Sequence, residues 1–518
     1  MATDSPDVRV YALSPNSIQF LDRIGAWKYI KDRSQPYTAM QIWEESGPGL
    51  LRFSADDMGA PALGRICEDQ TIQTAIYQSI KDQGYNFSPY FGYSVDDVKL
   101  PANGNNPSSP AVVKIEPKDT VNFQPKELSA RLVVGADGAN SMVRKFSGIS
   151  TWGWGYGQEA VVATVRLPGY DQPTPEANAD STASDSSAPN TGRRAAPRNN
   201  TAWQKYLTTG PLALLPLWDG YASIVWSTSI AECKRLKALP ADQFLLELNA
   251  ALQSRPATDK WSVFEKSDAT NLPPFINNLF QARPFGPVSN LFGKSPQELL
   301  QAAKREVAAV ADVLMASAQM SDPLQYPPKL EALCGPRVSF PLSFSQARQY
   351  TAPRCALVGD AAHSIHPQAG QGLNLGVQDA ITLSDCIVRT MSVGGDIGQA
   401  SLLKSYEKER YVKNLSMMTL VDGINTVFKD EHATRPVASS SSAASASSHT
   451  TNQDKKDTHE KDYVSFSAQA TRPGDLPFVP KMKQFLRSAG MLGIHQLGPV
   501  KNKIAKFAMG LDNSTTNK

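Results

Sequence analysis

CALVGDAAHSIHPQAGQGLNLGVQDAITLSDCIV, residues 355–388, begins as a short buried strand and ends as an amphipathic helix. Asp360 stands at the carboxyl end of the strand, which is where open α/β sheets bind ligands. Its ionised carboxylate can only accept hydrogen bonds, and this suits the hydroxyl groups of a sugar alcohol. The segment therefore predicts a binding site for a large, flat, polyhydroxylated ligand.

The loop that follows Asp360 predicts close contact between the backbone and that ligand. Pro367 fixes a turn, and Gly370 and Gly372 carry no side chain, so their amides are open to a flat ring. The helix predicted to start near Asn374 directs a partly positive N-terminus at the ring, where it stabilises an anion. A flavin, which becomes anionic on reduction, fits such a site. The alternative is an ordinary strand, turn and helix with a capping aspartate.

A second segment, LVVGADGANSMVRK at residues 132–145, has the spacing Asp-Gly-x-x-Ser-x-Val-Arg. A strand is predicted to end at Gly135, Asp137 and Gly138 form a turn, and Ser141 lies in the first turn of a helix. This spacing is far more restrictive than a lone Asp-Gly turn. The alternative is a capped helix with a surface arginine.

Together the two segments resemble the class A flavoprotein aromatic hydroxylases. Further runs are similar to the branch of that family that works in mitochondrial ubiquinone (coenzyme Q) biosynthesis: RVYALSP at 9–15, WGYGQEAVVATV at 154–165, AWQKYLTTGPLALLPL at 202–217 and SIVWSTS at 223–229. The resemblance covers most of residues 8–430, apart from an insertion at 168–200. WGWGYG at 152–157 also resembles a tryptophan motif of flavin halogenases, but the Ile-Pro that follows there is absent.

The resemblance implies an α/β protein with the flavin hydroxylase fold. In this fold a Rossmann-like FAD domain with a parallel sheet is interrupted by a mostly antiparallel substrate domain. We expect the FAD domain at 1–36, 62–150 and 335–431, and the substrate domain at 37–61 and 151–334. Residues 168–200 and 432–462 have the composition of disordered insertions, and 463–518 is expected to be a C-terminal helical segment.

The pattern of apolar residues also predicts individual elements. Helices are predicted at 17–30 and 70–82 and over most of 236–330. Residues 39–53 are predicted to form a hairpin, and Asp219-Gly220 predicts another, because a type I′ turn needs positive φ there. Strands are predicted at 338–342 and at 129–136, and the continuous apolar end of the latter is typical of a strand buried on both faces.

The resemblance also assigns FAD-binding roles by position. Asp360 would hold the ribityl chain, Asp137 would lie near the pyrophosphate, and Arg9 would contact the adenosine diphosphate half. The remaining residues predicted to bind the cofactor follow the strand or line the loop: Gly359, Pro367, Gly370, Gln371, Gly372, Leu373 and Asn374. The implied reaction is hydroxylation of the aromatic ring of a polyprenyl-hydroxybenzoate or polyprenylphenol by O2, through a C4a-hydroperoxyflavin. No catalytic acid or base is evident.

Part of the expected cofactor site is absent from the sequence. FAD domains of this type begin with a strand, G-x-G-x-x-G and a helix, and no such motif occurs here. We therefore expect the first βαβ unit to be missing, as in an N-terminally truncated product. The same expectation accounts for the lack of a mitochondrial targeting peptide at Met1.

Composition excludes several other classes of function. Lys and Arg number 52 against 49 Asp and Glu, so the net charge of +3 does not favour a nucleic-acid partner. The five cysteines are scattered and form no CxxC pair, which disfavours a zinc site or a disulfide framework. His363 and His366 lack a third ligand at plausible spacing, so no metal is expected. No apolar run reaches about 18 residues, the length needed to span a membrane.

The implied partners are the lipid-tailed phenol, a ferredoxin with its reductase as electron source, and other ubiquinone biosynthesis proteins in a complex. The implied location is the matrix side of the mitochondrial inner membrane, with peripheral contact. Residues 481–511 form a basic amphipathic pattern that either lies on an anionic membrane or packs on the flavin domain. Two rival functions are a non-catalytic or FAD-deficient subunit of that complex, and another flavin phenol hydroxylase.

Overall fold

The structure is a computed structural model that describes residues 6–47, 49–101, 109–119, 124–169, 199–255 and 324–428, together with positions 487, 491, 501, 502, 505 and 506. The predicted disordered insertions lie almost wholly outside the described residues, as does most of the helical stretch predicted between 236 and 330. None of the described helices is long and apolar enough to cross a membrane.

The largest element is an eight-stranded sheet. Its strands are β3 (Ala39–Glu44), β4 (Leu50–Ser54), β10 (Thr151–Arg166), β11 (Thr201–Leu207), β12 (Gly210–Pro216), β13 (Tyr221–Ser229), β14 (Ala332–Ala347) and β17 (His363–Ser364). They lie in the order β17-β14-β10-β13-β12-β11-β3-β4. Every pairing in this sheet is antiparallel except β11 with β3. The predicted hairpin at 39–53 is confirmed as β3 and β4, and the strand predicted at 338–342 is the middle of β14.

One face of this sheet is buried under two helices, α4 (Ile230–Ala238) and α5 (Ala241–Gln253). Alternate residues of β10, such as Val161, Ala163 and Val165, point into this core because successive strand residues face opposite sides. They pack with side chains of the neighbouring strands and of both helices: Leu212, Ile224, Trp226, Leu236, Phe244 and Leu248. The opposite face is left to contact the rest of the protein.

The turn between β12 and β13 confirms the hairpin predicted at Asp219-Gly220. Asp219 has φ 47° and Gly220 has φ 72°, so both residues lie in the left-handed region that this turn requires. The amide of Leu217 donates to the carbonyl of Tyr221 and closes the hairpin.

A three-stranded sheet carries the decisive sequence segment. It consists of β15 (Thr351–Ala352), β16 (Cys355–Leu357) and β9 (Val133–Gly135), in that order, with β9 and β16 parallel. Three helices lie around it: α3 (Met142–Phe146), α6 (Gly372–Ser392) and α7 (Ala400–Phe428).

The prediction of one doubly buried strand at 129–136 was wrong. The chain forms two strands there, β8 (Lys126–Ala130) and β9, and Val134 is 42% exposed. Val133 packs against the core, whereas Val134 points to the opposite face of the sheet, so only one face of β9 is covered by the described residues.

The N-terminal part contributes a third sheet of β1 (Val10–Leu13), β5 (Gly64–Glu68) and β2 (Gln35–Tyr37). It packs with α1 (Pro15–Arg23) and α2 (Asp69–Asp82), and the latter confirms the helix predicted at 70–82. The helix predicted at 17–30 ends early, because the chain passes into short 3-10 turns at Trp27–Tyr29 and Lys31–Arg33. A fourth, antiparallel sheet is formed by β6 (Tyr93–Lys99), β7 (Ala111–Pro117) and β8.

The described C-terminal positions pack against the β3–β4 hairpin. Arg487 Nε donates to Glu44 Oε2 at 2.6 Å, and both side chains are at least 98% buried. The Arg487 guanidinium also lies over the ring of Phe428 at the end of α7. Lys501 reaches Asp57 at 3.1 Å. Arg487 and Lys501, two cations of the basic pattern at 481–511, therefore bind to the protein, as the packing alternative for that segment requires, although their partners lie on and just after the β3–β4 hairpin.

We expect Arg487→Met to destabilise the protein by about 3–5 kcal/mol, because Glu44 would remain buried without its partner. Urea unfolding of the purified chain measures this loss. The control is Lys413→Met, which removes the exposed pair with Glu409 and should change stability by less than about 0.5 kcal/mol. Adding Glu44→Gln to Arg487→Met should recover part of the loss. Equal effects of Arg487→Met and the control would contradict a buried ion pair.

Candidate functional site

The site is built where β16 ends. After Leu357 and Val358 the chain makes one 3-10 turn over Gly359–Ala361, which places Asp360 at the carboxyl edge of the parallel strand pair. Gly359 has φ 58°, which disfavours any side chain, and its Cα lies against Gly376 of α6. A Cβ on Gly376 would be 3.2 Å from the Gly359 Cα. The two glycines let the helix approach the turn closely.

Asp360 is exposed at the carboxyl edge of the parallel strand pair. The residue keeps exposed surface, yet burial raises the pKa of its carboxyl, while the nearby His363 opposes that shift. No protein donor is recorded for its side chain among the described residues, so the carboxylate is available to a ligand.

The loop after the turn is fixed by its contacts with β1. Gly370 has φ 58°, and a Cβ there would lie 3.3 Å from the side chain of Ala12. Asn374 Nδ2 donates to the carbonyls of Ala12, at 2.9 Å, and Gly370, at 3.1 Å. Its Oδ1 accepts from the amide of Ser14 and the hydroxyl of Ser17. The side chain of Asn374 therefore holds the loop and has little capacity left for a ligand.

The helix α6 begins at Gly372, two residues before the predicted start. No side chain caps its first turn and no acidic residue lies in it, so its partial positive charge is not neutralised locally. The side chain of Leu373 packs against the core cluster that contains Leu13 and Leu21. At Gly372 and Leu373, the parts open to a ligand are therefore backbone amides.

Arg9 and Asp360 both influence the hydroxyl group of Tyr11. The Arg9 side chain is 71% exposed and pairs weakly with Asp69 at 3.4 Å. Burial, and then the charge of Asp69, raises the pKa of Tyr11, and Asp360 acts in the same direction while Arg9 opposes it. The arginine predicted on the adenosine side and the aspartate predicted on the ribityl side thus both act on the pKa of Tyr11, the second residue of β1.

Asp137 serves its own helix. Its carboxylate accepts from the hydroxyl of Ser141 and from the amides of Met142, at 2.7 Å, and Val143, at 3.1 Å. Ser141 is the N-cap of α3 rather than part of its first turn. Arg144 donates to the carbonyl of Ala361 at 2.8 Å. The segment at 132–145 is therefore hydrogen-bonded to the turn that carries Asp360.

A buried carboxylate that the sequence analysis missed lies behind the turn. Asp379 accepts from the Gly359 amide, His363 Nε2, Arg410 Nε and Asn414 Nδ2. Burial alone raises the pKa of Asp379, but His363 and Arg410 outweigh it and hold that pKa below its usual value. The available signal was an acidic residue on the apolar face of α6, in step with Leu375 and Leu383.

The eight-stranded sheet meets the cofactor loop through a mostly apolar contact. Side chains of its free face pack with Ile365 of the loop and with α7, and the cluster contains Ala160, Val225, Leu342, Phe344, Leu415 and Met418. At its margin Tyr156 donates to Asp422 at 2.8 Å, and its ring meets the edge of His366. Burial, and then this hydrogen bond, raises the pKa of Tyr156.

Comparison with known proteins identifies the family. The FAD binding domain family model matches residues 327–418, which include the Asp360 turn, the loop and α6. COQ6, the mitochondrial ubiquinone biosynthesis monooxygenase of Dictyostelium discoideum, is 31% identical over 430 residues, which cover 82% of this chain and 74% of the relative. The COQ6 protein of Homo sapiens is 29% identical over 81% of this chain and 75% of its own length.

The chain belongs to the COQ6 family of ubiquinone biosynthesis monooxygenases.

Solved structures support the fold of this COQ6 family member. p-Nitrophenol 4-monooxygenase PnpA of Pseudomonas putida superposes with a TM-score of 0.56 at 13% identity, covering 99% of this chain and 91% of that one. PqsL of Pseudomonas aeruginosa superposes with a TM-score of 0.52 at 16% identity, covering 83% and 89%. The predicted flavin hydroxylase fold is confirmed, and so are the predictions of a flavin-dependent monooxygenase and of FAD as its cofactor.

The residues present in this COQ6 family member fit such a cofactor. Among the described residues near the loop, the buried polar atoms that find no hydrogen-bond partner include Ser364 Oγ, Gln368 Oε1 and Gln378 Nε2. They occur within 15 residues of sequence, next to the uncapped helix N-terminus and the available Asp360 carboxylate. Unsatisfied buried polar groups are costly unless a ligand or water completes them.

The substitution Asp360→Asn distinguishes the effect of the carboxylate on protein stability from its effect on FAD binding. Because burial raises the pKa of Asp360, the carboxylate destabilises the fold above that pKa, and the cost vanishes below about pH 4. We expect the variant to raise the thermal midpoint of the FAD-free protein at pH 7, and to lose this gain as the pH falls toward 4. FAD titration should show weaker binding.

The matched control is Asp96→Asn, an exposed carboxylate on β6, which should change neither the midpoint nor FAD affinity. A lower midpoint for Asp360→Asn at pH 7 would show that the carboxylate stabilises the fold, contrary to this account.

Proposed function

We propose that this protein hydroxylates the aromatic ring of a polyprenyl-hydroxybenzoate or related polyprenylphenol with O2, on the route to ubiquinone. The observation that carries the proposal is the available Asp360 carboxylate beside the bare, uncapped start of α6, in a chain whose relatives are ubiquinone biosynthesis monooxygenases. FAD, when bound, supplies the oxygen-activating chemistry.

In this proposal each residue of the cofactor site has a defined task. Asp360 accepts hydrogen bonds from the ribityl hydroxyls, and the amides of Gly370, Gln371, Gly372 and Leu373 lie along the flavin ring, with Gly359 and Pro367 shaping the turns. Asn374 holds the loop against β1. The N-terminus of α6 stabilises negative charge on the ring system.

The contacts of Arg9 and Asp137 support different roles for these two residues at the cofactor. The exposed guanidinium of Arg9 remains suited to the adenosine diphosphate half. Asp137 is occupied by the start of α3, so its contribution to the pyrophosphate side is to shape the turn rather than to contact the cofactor.

The substrate site is proposed between the cofactor loop and the free face of the eight-stranded sheet. Val225 and Ile365 remain partly buried there, among apolar and aromatic side chains that suit a phenol with a hydrocarbon tail. The same face excludes water from the reacting groups. In this division the sheet belongs to the substrate domain, although β14 crosses the predicted domain boundary at 334/335.

The partners and the location belong to the same proposal. A mitochondrial site follows from the names of the relatives, and peripheral contact with the matrix side of the inner membrane would present the lipid-tailed substrate. A ferredoxin and its reductase would deliver electrons, and other ubiquinone biosynthesis proteins would form a complex with the chain.

The decisive experiment incubates the FAD-loaded protein with a ferredoxin, its reductase, NADPH and a short-chain prenyl-hydroxybenzoate under 18O2. We expect a product that is heavier by one 18O atom, located on the ring by mass spectrometry. Asp360→Ala should abolish product at FAD concentrations that saturate the wild type.

Loss of the prenyl group from the substrate should reduce turnover. If the loaded wild type forms no hydroxylated product from any prenylphenol offered, the proposed activity is wrong. If the wild type also fails to retain FAD, a non-catalytic role in the complex takes its place.

A further inference from the structure

The strongest feature outside the proposed ligand contacts is the buried carboxylate of Asp379. Its Oδ2 accepts from the Gly359 amide at 3.0 Å and from His363 Nε2 at 2.6 Å. Its Oδ1 accepts from Arg410 Nε at 2.8 Å and from Asn414 Nδ2 at 2.9 Å. Asp379 has no exposed side-chain surface, so it cannot touch a ligand itself.

This carboxylate is compensated by α7. Arg410 is 3% exposed and lies in an ion pair with Asp379, and its Nη2 donates to Asn414 Oδ1. Asn414 continues the network to the hydroxyl of Tyr350. A buried pair of this kind survives only when further hydrogen bonds complete both ions, and here four donors surround the carboxylate.

The network acts on the turn that presents Asp360. Gly359 immediately precedes Asp360, and the bond from its amide to Asp379 fixes the entry to the turn. On the other side, the carbonyl of Ala361 accepts from Arg144 and fixes the exit. Asp360 is thus held between two anchored peptide groups, while no side chain or amide of the described residues donates to its own carboxylate.

We propose that Asp379, with Arg410, is a positioning residue for cofactor binding, which acts through the Gly359 amide to aim the Asp360 carboxylate. The inference rests on the proposed cofactor site and adds residues that never touch the cofactor. A purely structural role for Asp379 would lower stability alone, whereas a positioning role couples its effect to Asp360.

A double-mutant cycle on FAD affinity tests this coupling. We expect Asp379→Asn to weaken FAD binding by about tenfold, since one amide oxygen cannot serve all four donors. Once Asp360→Ala has removed the aimed group, adding Asp379→Asn should weaken binding by less than about twofold. FAD dissociation constants come from fluorescence titration of the FAD-free protein.

Glu407→Gln is the matched control. Glu407 lies on α7 one turn before Arg410 and accepts from the amides of Tyr350 and Thr351, so it holds a neighbouring part of the same sheet. Glu407→Gln should lower the thermal midpoint of unfolding and leave FAD affinity within about twofold of wild type. If Asp379→Asn does not fold, Arg410→Lys, which keeps the charge and loses the bond to Asn414, replaces it in the cycle.

The outcomes are distinct. Multiplicative, independent effects of the Asp360 and Asp379 substitutions would overturn the positioning role, as would wild-type FAD affinity in a folded Asp379 variant. A wild type that binds no FAD would instead overturn the proposed cofactor site itself. A shifted visible circular dichroism band of bound flavin in Asp379→Asn, absent from Glu407→Gln, would support altered placement of the ring.

Discussion

Four hydrogen bonds to one buried carboxylate hold together the part of the protein that matters most for its chemistry. Asp379 can remain ionised away from water only because α7 brings Arg410 and Asn414 to it, and because His363 and the Gly359 amide complete it. The position of α7 is therefore linked to the conformation of a three-residue turn on the sheet. A change in the packing of α7 would therefore alter the turn that carries Asp360.

The helix α7 connects the site to more than the turn. Tyr406 donates to the carbonyl of Leu357 at the end of β16, and the carbonyl of Val421 accepts from Gln368 in the cofactor loop. Asp422 accepts from Tyr156 of the large sheet. One helix thus sets the spacing between the turn, the loop and the sheet face, which is the spacing between sugar-alcohol chain, flavin ring and substrate in the proposed site.

The sequence predicted the parts of this arrangement that rest on local chemistry. The glycine loop and the Asp219-Gly220 hairpin depend on backbone conformations that few residues adopt, and the structure shows positive φ at Gly370, Asp219 and Gly220. The tertiary contacts could not be predicted from the sequence. Asp379 and Arg410 lie 31 residues apart on two helices, and the residue pattern does not show how those helices pack. The sequence pattern also did not indicate that the side-chain amide of Asn374 would bond to the carbonyls of Ala12 and Gly370. The break between β8 and β9 was also not predicted, because the apolar residues near 130 do not show which faces of a strand other elements will cover.

The long strand β14 has a consequence for how the molecule holds together. Its first half pairs with the end of β10 near Arg166, and its second half runs beside Thr151–Gly155 and leads into the sheet that bears Asp360. A single stretch of backbone is thus shared by the regions that would contact substrate and cofactor. His363 and Ser364, which follow the Asp360 turn, also pair with Gln346 and Ser345 of β14, so unfolding of the cofactor loop would break hydrogen bonds of the large sheet and the stabilities of the two regions are coupled.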